Sequence, residues 1–255
     1  LEKQVPMPNH ELAEGLGNNL LSALGAQDIR ALYPHMDPIT AAQGAVLHEE
    51  GEFVNFAYFP CHESMATFSV FLADGRAVQT VLIGREGAVG GIVSHGNVPA
   101  YARSIVQITG DFLKIDTSEI GRARHKSPAL DQTFALYADC LVADLFQSAA
   151  CNAGHTIEAR TAKWLLSVVD RTGRLEIPWT QEALASMLGV GRSYVTRVIR
   201  RLKTKGAVTT SRGAIHVKDL SVLDVEACGC HTAVKHHFDT ILKGVYPCGE
   251  LTAAG

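Results

Sequence analysis

Apolar residues recur in this chain at three periods, and each period marks a different kind of element. In residues 180–202, Ala183, Leu184, Met187 and Leu188 fall at helical spacing, Gly189 and Gly191 interrupt the run, and Val195, Val198, Ile199 and Leu202 resume it. Two short amphipathic helices joined by one tight turn are predicted there. From about residue 39 to 115 the period shortens, with apolar and β-branched residues in 45–47, 53–59, 65–72, 77–83, 101–108 and 111–115 and glycines between the runs. Many short strands separated by turn signals predict a small barrel or roll. Pro128 then opens a stretch that continues to Asn152 without another Gly or Pro. Within it Leu130, Phe134, Tyr137 and Leu141 alternate steps of four and three, the spacing of a coiled-coil seam, and Leu145 follows four residues on. A helix of about 25 residues spans roughly 40 Å, more than one small domain needs. It is read as a dimerisation helix and as the connector between domains.

Smaller patterns complete the outline. Residues 1–17, with Pro6, Pro8, Gly15 and Gly17, read as a poorly ordered leader. Two short helices are expected around Leu20, Leu21 and Leu24, and around Ile29, Leu32 and Met36. Ile157, Thr161, Trp164, Leu165 and Val168 stripe another helix that should pack under the helix pair. Beyond Leu202, residues 208–210, a Ser211-Arg212-Gly213 turn and residues 215–217 make a two-stranded hairpin, so that the whole is a winged helix-turn-helix. A C-terminal helix over about residues 220–242 is expected to pack its small residues beside the winged domain. The fold class is α+β: leader 1–17, β-roll sensor domain 18–118, dimerisation helix and hinge 119–154, winged helix-turn-helix 155–220, C-terminal helix and tail 221–255.

The second helix of the pair leaves Arg192, Ser193, Tyr194, Thr196, Arg197, Arg200 and Arg201 outward. Such side chains donate to phosphates and base edges, and the first turns of the second helix enter the major groove in this motif. Thr180 suits the cap of the first helix, although Ala183 stands where a capping box needs Glu or Gln. With Thr180 and Gln181 before it and Arg212 at the wing tip, these residues are the candidate DNA contacts. Charge supports them. The chain carries a formal net charge of -3, yet residues 155–220 hold 12 Lys and Arg against 5 Asp and Glu, whereas residues 1–154 hold 9 against 17. A basic module on an acidic carrier suits a polyanionic partner, because phosphate contacts supply most sequence-independent affinity for DNA.

Other chemistries find little support in the sequence. Six cysteines, at 61, 140, 151, 228, 230 and 248, are scattered except for one close pair, which suits a reducing, cytoplasmic setting. Cys140 and Cys151 read as packing residues. The tail groups Cys228, Cys230, His231, His236, His237 and Cys248, but a Cys-x-Cys gap is shorter than the usual zinc-knuckle spacing of about two to four residues. Neither a metal nor a confident cofactor is expected. No Cys-rich run stands near the start for an iron–sulfur cluster, and no apolar run approaches the roughly 18 residues of a membrane span. With no phosphate-binding Gly-Lys-Ser/Thr loop and no nucleophile–base series, the chain is not expected to be an enzyme.

Taken together, Glu158, Arg160, Trp164, Leu166, Asp170, Arg171, Thr180, Gln181, Glu182, Leu184, Ala185, Met187 to Val190, Arg192, Val195, Arg197, Leu202, Gly206, Arg212, Gly213 and Ile215 form a dense series. It resembles the DNA-binding domain of the bacterial Crp/Fnr regulators, the family of the cyclic-AMP receptor protein and the fumarate–nitrate regulator. The order of β-roll then long helix extends the resemblance over about residues 18–225. It implies a homodimer on inverted-repeat operators, with RNA polymerase as a partner and base readout by Arg192, Ser193 and Arg197. Two departures stand inside the motif: Ser193 replaces a frequent acidic residue, and Gly191, only a slightly weaker cap, replaces a frequent Ser. The sensor departs further. Gly91, beside Gly90, stands where cyclic-nucleotide binders place a ribose-binding Glu, while Arg103 and Ser104 align with the phosphate-binding pair. These four are the candidate effector residues. The expectation is a sensor that answers to an unidentified small molecule, or to none, rather than to cyclic AMP. The alternative is a cyclic-nucleotide-binding regulatory protein that acts on a protein partner.

Overall fold

The computed structural model describes residues 15–92 and 98–247. Cys248 and most of the expected leader lie outside the described residues. The last leader residues are packed rather than loose: Leu16 is buried, and the Gly17 carbonyl accepts from His62 N. Helix α1 (Asn19–Ser22) is fixed by a single buried side chain. Asn18 Oδ1 accepts from Leu21 N, and Asn18 Nδ2 donates to the carbonyls of Pro60 and Gly87, which nails the helix to the roll. Helix α2 (Ala26–Leu32) buries Ile29 and Leu32 but stops short of Met36, because a 3₁₀ turn at Tyr33–His35 containing Pro34 intervenes. Met36 instead opens strand β1 (Met36–Ala41), which the sequence reading did not predict. Pro38 argues against a strand interior, yet β1 is an edge strand, where a missing donor is tolerated.

The remaining strands of the roll are β2 (Val46–His48), β3 (Phe56–Pro60), β4 (Met65–Phe71), β5 (Ala77–Ile83), β6 (Arg103–Ile108) and β7 (Gly110–Asp116). They form two antiparallel sheets, β1-β7-β3 and β2-β6-β4-β5. The sheets close on Tyr58, Val81, Ile83, Val106 and Phe112, which make one cluster with Leu141.

Helix α3 (Thr117–Lys126) leads into helix α4 (Pro128–Gly154), whose length matches expectation. Its predicted seam does not face a partner. Leu130, Phe134 and Tyr137 are fully buried within this chain and Leu141 nearly so, packed on the roll, α1 and α2; of the five seam residues only Leu145 is exposed. The stripe therefore records how α4 is seated on its own domain. A second stripe, unremarked in the sequence, faces outward: Ala135, Asp139, Val142, Phe146, Ala149 and Ala153. It too alternates steps of four and three. Among the described residues α4 is the one helix long and apolar enough to cross a membrane, contrary to the sequence expectation, but its seated face and buried Asp144 tie it into the fold.

Helix α5 (Ile157–Thr172), strand β8 (Glu176–Ile177), helices α6 (Gln181–Leu188) and α7 (Arg192–Thr204) and strands β9 (Val208–Ser211) and β10 (Ala214–Val217) build the C-terminal domain. Its core joins Trp164, Leu165, Val168, Leu184, Leu188, Val195, Ile199 and Leu202 to Met65, Leu82 and Ile108 of the roll. The single C-terminal helix predicted is two, α8 (Leu220–Glu226) and α9 (Cys230–Ile241), because Ala227 turns extended and Gly229 restarts the chain. Helix α8 packs on α5. Helix α9 packs mainly on α4 and also against α5, placing Val234, Phe238 and Tyr246 in one core with Leu20 and Phe134.

One buried ionic node ties these parts together. Arg171 on α5 donates from Nε to Glu86 Oε1 at 2.8 Å, from Nη2 to Asp144 Oδ2 at 3.2 Å and from Nη1 to the Tyr246 hydroxyl at 2.8 Å. All are buried. Burial pushes the Asp144 carboxyl above the usual range while Arg171 pulls it back, and burial is outweighed at Arg171 itself by Tyr246, Glu86 and Asp144, which hold its charge. Arg171→Met should therefore lower the unfolding free energy by about 3–5 kcal/mol, because two buried carboxylates lose their cation. Urea titration measures this, and adding Glu86→Gln with Asp144→Asn should recover part of the loss.

Candidate nucleic-acid interface and sensor cavity

Thr180 caps α6 as expected, its hydroxyl accepting from Ala183 N at 3.0 Å. Val195, Val198, Ile199 and Leu202 turn one face of α7 inward, so Ser193, Arg197 and Arg200 necessarily occupy the middle of the outer face. Arg192 flanks them, its Nε 3.5 Å from Glu182 Oε2 with both side chains 70% exposed, a pairing too solvated to hold it from a phosphate. Gly191 contributes no side-chain cap, which leaves the first amides of α7 open toward the same side.

Not every predicted contact faces outward. Tyr194 turns toward α5, its hydroxyl donating to Glu158 Oε1 at 3.3 Å, while the Arg197 guanidinium lies 5.0 Å over its ring. Tyr194 thus positions Arg197. Thr196 and Gln181 face each other, the threonine hydroxyl donating to Gln181 Oε1 at 2.8 Å and bracing α7 against α6. Arg201 is exposed on the Tyr194 side of the helix, and Arg212 is exposed at the β9–β10 turn. Lys203 was missed. It shares a helical face with Arg192, Thr196 and Arg200, and its Nζ donates to Thr210 Oγ1 of the wing at 3.2 Å. The signal was its three-residue step from Arg200.

The roll and α4 line a half-open cavity of about 520 Å³ whose walls include Phe68, Val70, Tyr101, Leu141 and Leu145, together with Gly90 and Gly91. Besides the Tyr101 hydroxyl, the polar side chains on its described wall are His48 and Thr80. His48 is committed elsewhere. Its Nε2 lies 2.8 Å from the Phe56 carbonyl, which only accepts, so Nε2 carries the proton and Nδ1 takes the Ser104 hydroxyl at 2.9 Å. Burial pushes its pKa below the ordinary value, leaving a neutral ring.

Of the four candidate effector residues, the structure brings only the two glycines to the cavity. Ser104 is buried on His48, and Arg103 donates from Nε to Glu49 Oε2 at 2.6 Å while stacking 4.8 Å from the Phe71 ring centre. Nor is there room for a carboxylate. Gly91 has φ +66°, and a Cβ there would lie 2.5 Å from Thr117 Cγ2; Gly90 has φ +81°, and its Cβ would meet His48 Cε1 at 2.5 Å.

Residues 159–225 match the family model described as a Crp-like helix-turn-helix domain. This region is a Crp-like helix-turn-helix domain. The fold around it is the fold of Crp/Fnr regulators. FixK2 from Bradyrhizobium japonicum superposes with a TM-score of 0.65 at 14% identity, over 76% of this chain and 98% of that one. A CRP-family regulator from Thermus thermophilus gives 0.62 at 19% identity, over 74% and 96%. The c-di-GMP-responsive global regulator CLP from Xanthomonas campestris gives 0.60 at 13% identity, over 76% and 100%. No curated protein matches the chain in sequence. The order of roll, long helix and Crp-like domain expected from the sequence is thus the order these regulators share.

Restoring the missing carboxylate should not restore a nucleotide site. Gly91→Glu is expected to cost at least about 1–3 kcal/mol from the left-handed backbone alone. Thermal unfolding checks the loss, and calorimetric titration with cyclic AMP should show no gain of binding.

Proposed function

We propose that this Crp/Fnr-like chain is a sequence-specific transcription regulator that binds inverted-repeat DNA as a homodimer. The observation that carries the reading is the outer face of α7, where Ser193, Arg197 and Arg200 stand free of the core beside Arg192, Lys203 and the wing residue Arg212. Arg192, Ser193 and Arg197 read base edges; Arg200, Arg201, Lys203 and Arg212 hold phosphates; Thr180, Gln181, Tyr194 and Thr196 set the helix and its arginines in place. RNA polymerase is the further partner such regulators imply, and the site of action is the cytoplasm. No catalytic step is assigned to the chain.

The dimer forms along the outward stripe of α4 rather than along the buried one. Phe146 is 73% exposed, Val142 and Leu145 are about two-fifths exposed, and Ala135, Ala149 and Ala153 keep the surface low enough for two helices to approach. A two-fold axis beside α4 carries one recognition helix to each half-site, about one helical turn of DNA apart.

The roll is read as a sensor for a small, largely apolar molecule and not for cyclic AMP. Among the described residues the wall holds no free cation, so a cyclic phosphate finds no partner and its buried charge stays uncompensated. Leu141 and Leu145 bring α4 to that wall, so an occupant touches the helix that dimerises.

Binding of the full chain to genomic fragments under a salt titration tests the reading. A selected fragment should lose affinity steeply with salt, the log–log slope being about 0.9 per phosphate contacted. Arg192→Ala or Arg197→Ala should cost about 1–3 kcal/mol and relax base preference, whereas Arg212→Ala should weaken all fragments alike. Uniformly weak binding with no preferred fragment rejects the proposal. Phe146→Glu should sediment as a monomer and lose the operator; Leu130→Ala, inside the chain, should lower stability and leave the dimer.

A further inference from the structure

The sharpest unassigned feature lies where α4 ends. Cys151 and His155 are one helical turn apart at that end, His155 being the C-cap, and Cys228 and Cys230 flank the glycine that starts α9. One ligand atom from each residue lies within 4.8 Å of all the others. Cys151 Sγ is 3.5 Å from Cys228 Sγ, and Cys230 Sγ is 3.5 Å from His155 Nδ1. We propose that Cys151, His155, Cys228 and Cys230 form a tetrahedral site for a single Zn²⁺ ion. Bonds of about 2.3 Å to sulfur and about 2.0 Å to nitrogen give ligand-to-ligand edges of roughly 3.5–3.8 Å, so a quartet whose atoms lie within 4.8 Å of one another reaches that geometry by contracting about 1 Å at most.

Ordinary packing does not account for the group. The buried members of this small hydrophobic cluster are the three cysteines, and the partly buried hydrophobic residue packed against them is Ala159, where a core would place larger aliphatic residues. A disulfide does not account for it either, since 3.5 Å exceeds the roughly 2.05 Å of an S–S bond and one bridge would leave a thiol and an imidazole over. Four donors so close suit one ion rather than a multi-iron cluster, whose ligands sit on separate iron atoms. Three sulfurs and one imidazole select Zn²⁺ among common divalent ions. Gln147 Nε2 donates to Cys230 Sγ at 3.1 Å, an outer hydrogen bond of the kind that settles a thiolate ligand. The exposed His155 leaves a way in for the ion. The short Cys-x-Cys gap is no obstacle, because its two sulfurs supply one side of the tetrahedron and the helical pair supplies the other.

The ion would join the last turn of α4 to the link between α8 and α9, across the hinge at His155 and Thr156 from which the Crp-like domain departs. It would lock that hinge. The full-length protein, expressed without chelator and gel-filtered, should carry one zinc per chain by elemental mass spectrometry. After chelation and reduction, Co²⁺ should restore the d–d absorption and the thiolate-to-cobalt charge-transfer band of a tetrahedral site. Cys151→Ser and Cys228→Ser should each abolish that spectrum, while His236→Ala, exposed on α9, keeps it. Removing zinc should lower the Tm of the parent protein by about 5 °C or more and leave the Tm of the Cys228→Ser variant unmoved. Folded, reduced parent protein that neither retains zinc nor shows the cobalt–thiolate band overturns the site, as does a Cys151–Cys228 disulfide in fresh protein that binds no cobalt once reduced. These readouts do not involve DNA, so their failure is separate from failure of the regulator reading.

Discussion

Arg171 is held by groups from three separate parts of the chain: Glu86 after the last strand of one sheet, Asp144 inside the long helix and Tyr246 near the end of the described residues. Desolvating a guanidinium and two carboxylates is costly, and such a node adds little net stability compared with an apolar core of the same shape. What it supplies is geometry. With α5 even slightly rotated, a buried charge would lose its partner, so the orientation of the Crp-like domain on the roll is over-determined. The apolar cluster shared by Met65, Leu82 and Ile108 with the helix-turn-helix core provides the attraction, and the node chooses among the ways that cluster could pack.

The long helix shows how a correct pattern leads to a wrong surface. Leu130, Phe134, Tyr137 and Leu141 have a strict heptad spacing, but spacing reports that a face is buried and not which chain buries it. The opposite stripe has the same period with far less contrast, since alanines and Asp139 interrupt its apolar character. Small residues that let helices approach closely look, in a sequence, like a solvated face. The exposed Phe146 is the one strong mark on it.

Legibility elsewhere followed the range of the interactions. The helix-turn-helix was readable because its core residues lie within one short span and keep a helical period, and Thr180 could be recognised as a cap three residues ahead of the amide it serves. The roll was readable from strand runs and glycines, except for β1, where Pro38 gave a signal that only edge position reverses. Arg103 and Ser104 were rightly placed on a strand and wrongly aimed: no local pattern announces that Glu49, 54 residues away, takes the arginine. The tail was least legible. The course of α9 depends on contacts with α1 and α4, and Cys151 and Cys228 meet across 77 residues, beyond the reach of any local spacing rule.

The small sheet of the Crp-like domain carries a final consequence. Its order, β8-β10-β9, threads a two-residue strand from before the helix pair onto the hairpin that follows it, pairing Ile215 with Ile177 and His216 with Glu176. The helix pair is therefore stitched at both ends to one ribbon. The shared ribbon limits how far α6 and α7 can part at their outer ends, and the Thr196–Gln181 hydrogen bond braces them between. With α5 also pinned to the roll and the long helix through Arg171, the angle at which the helix pair is presented is set by the whole chain rather than by the domain alone.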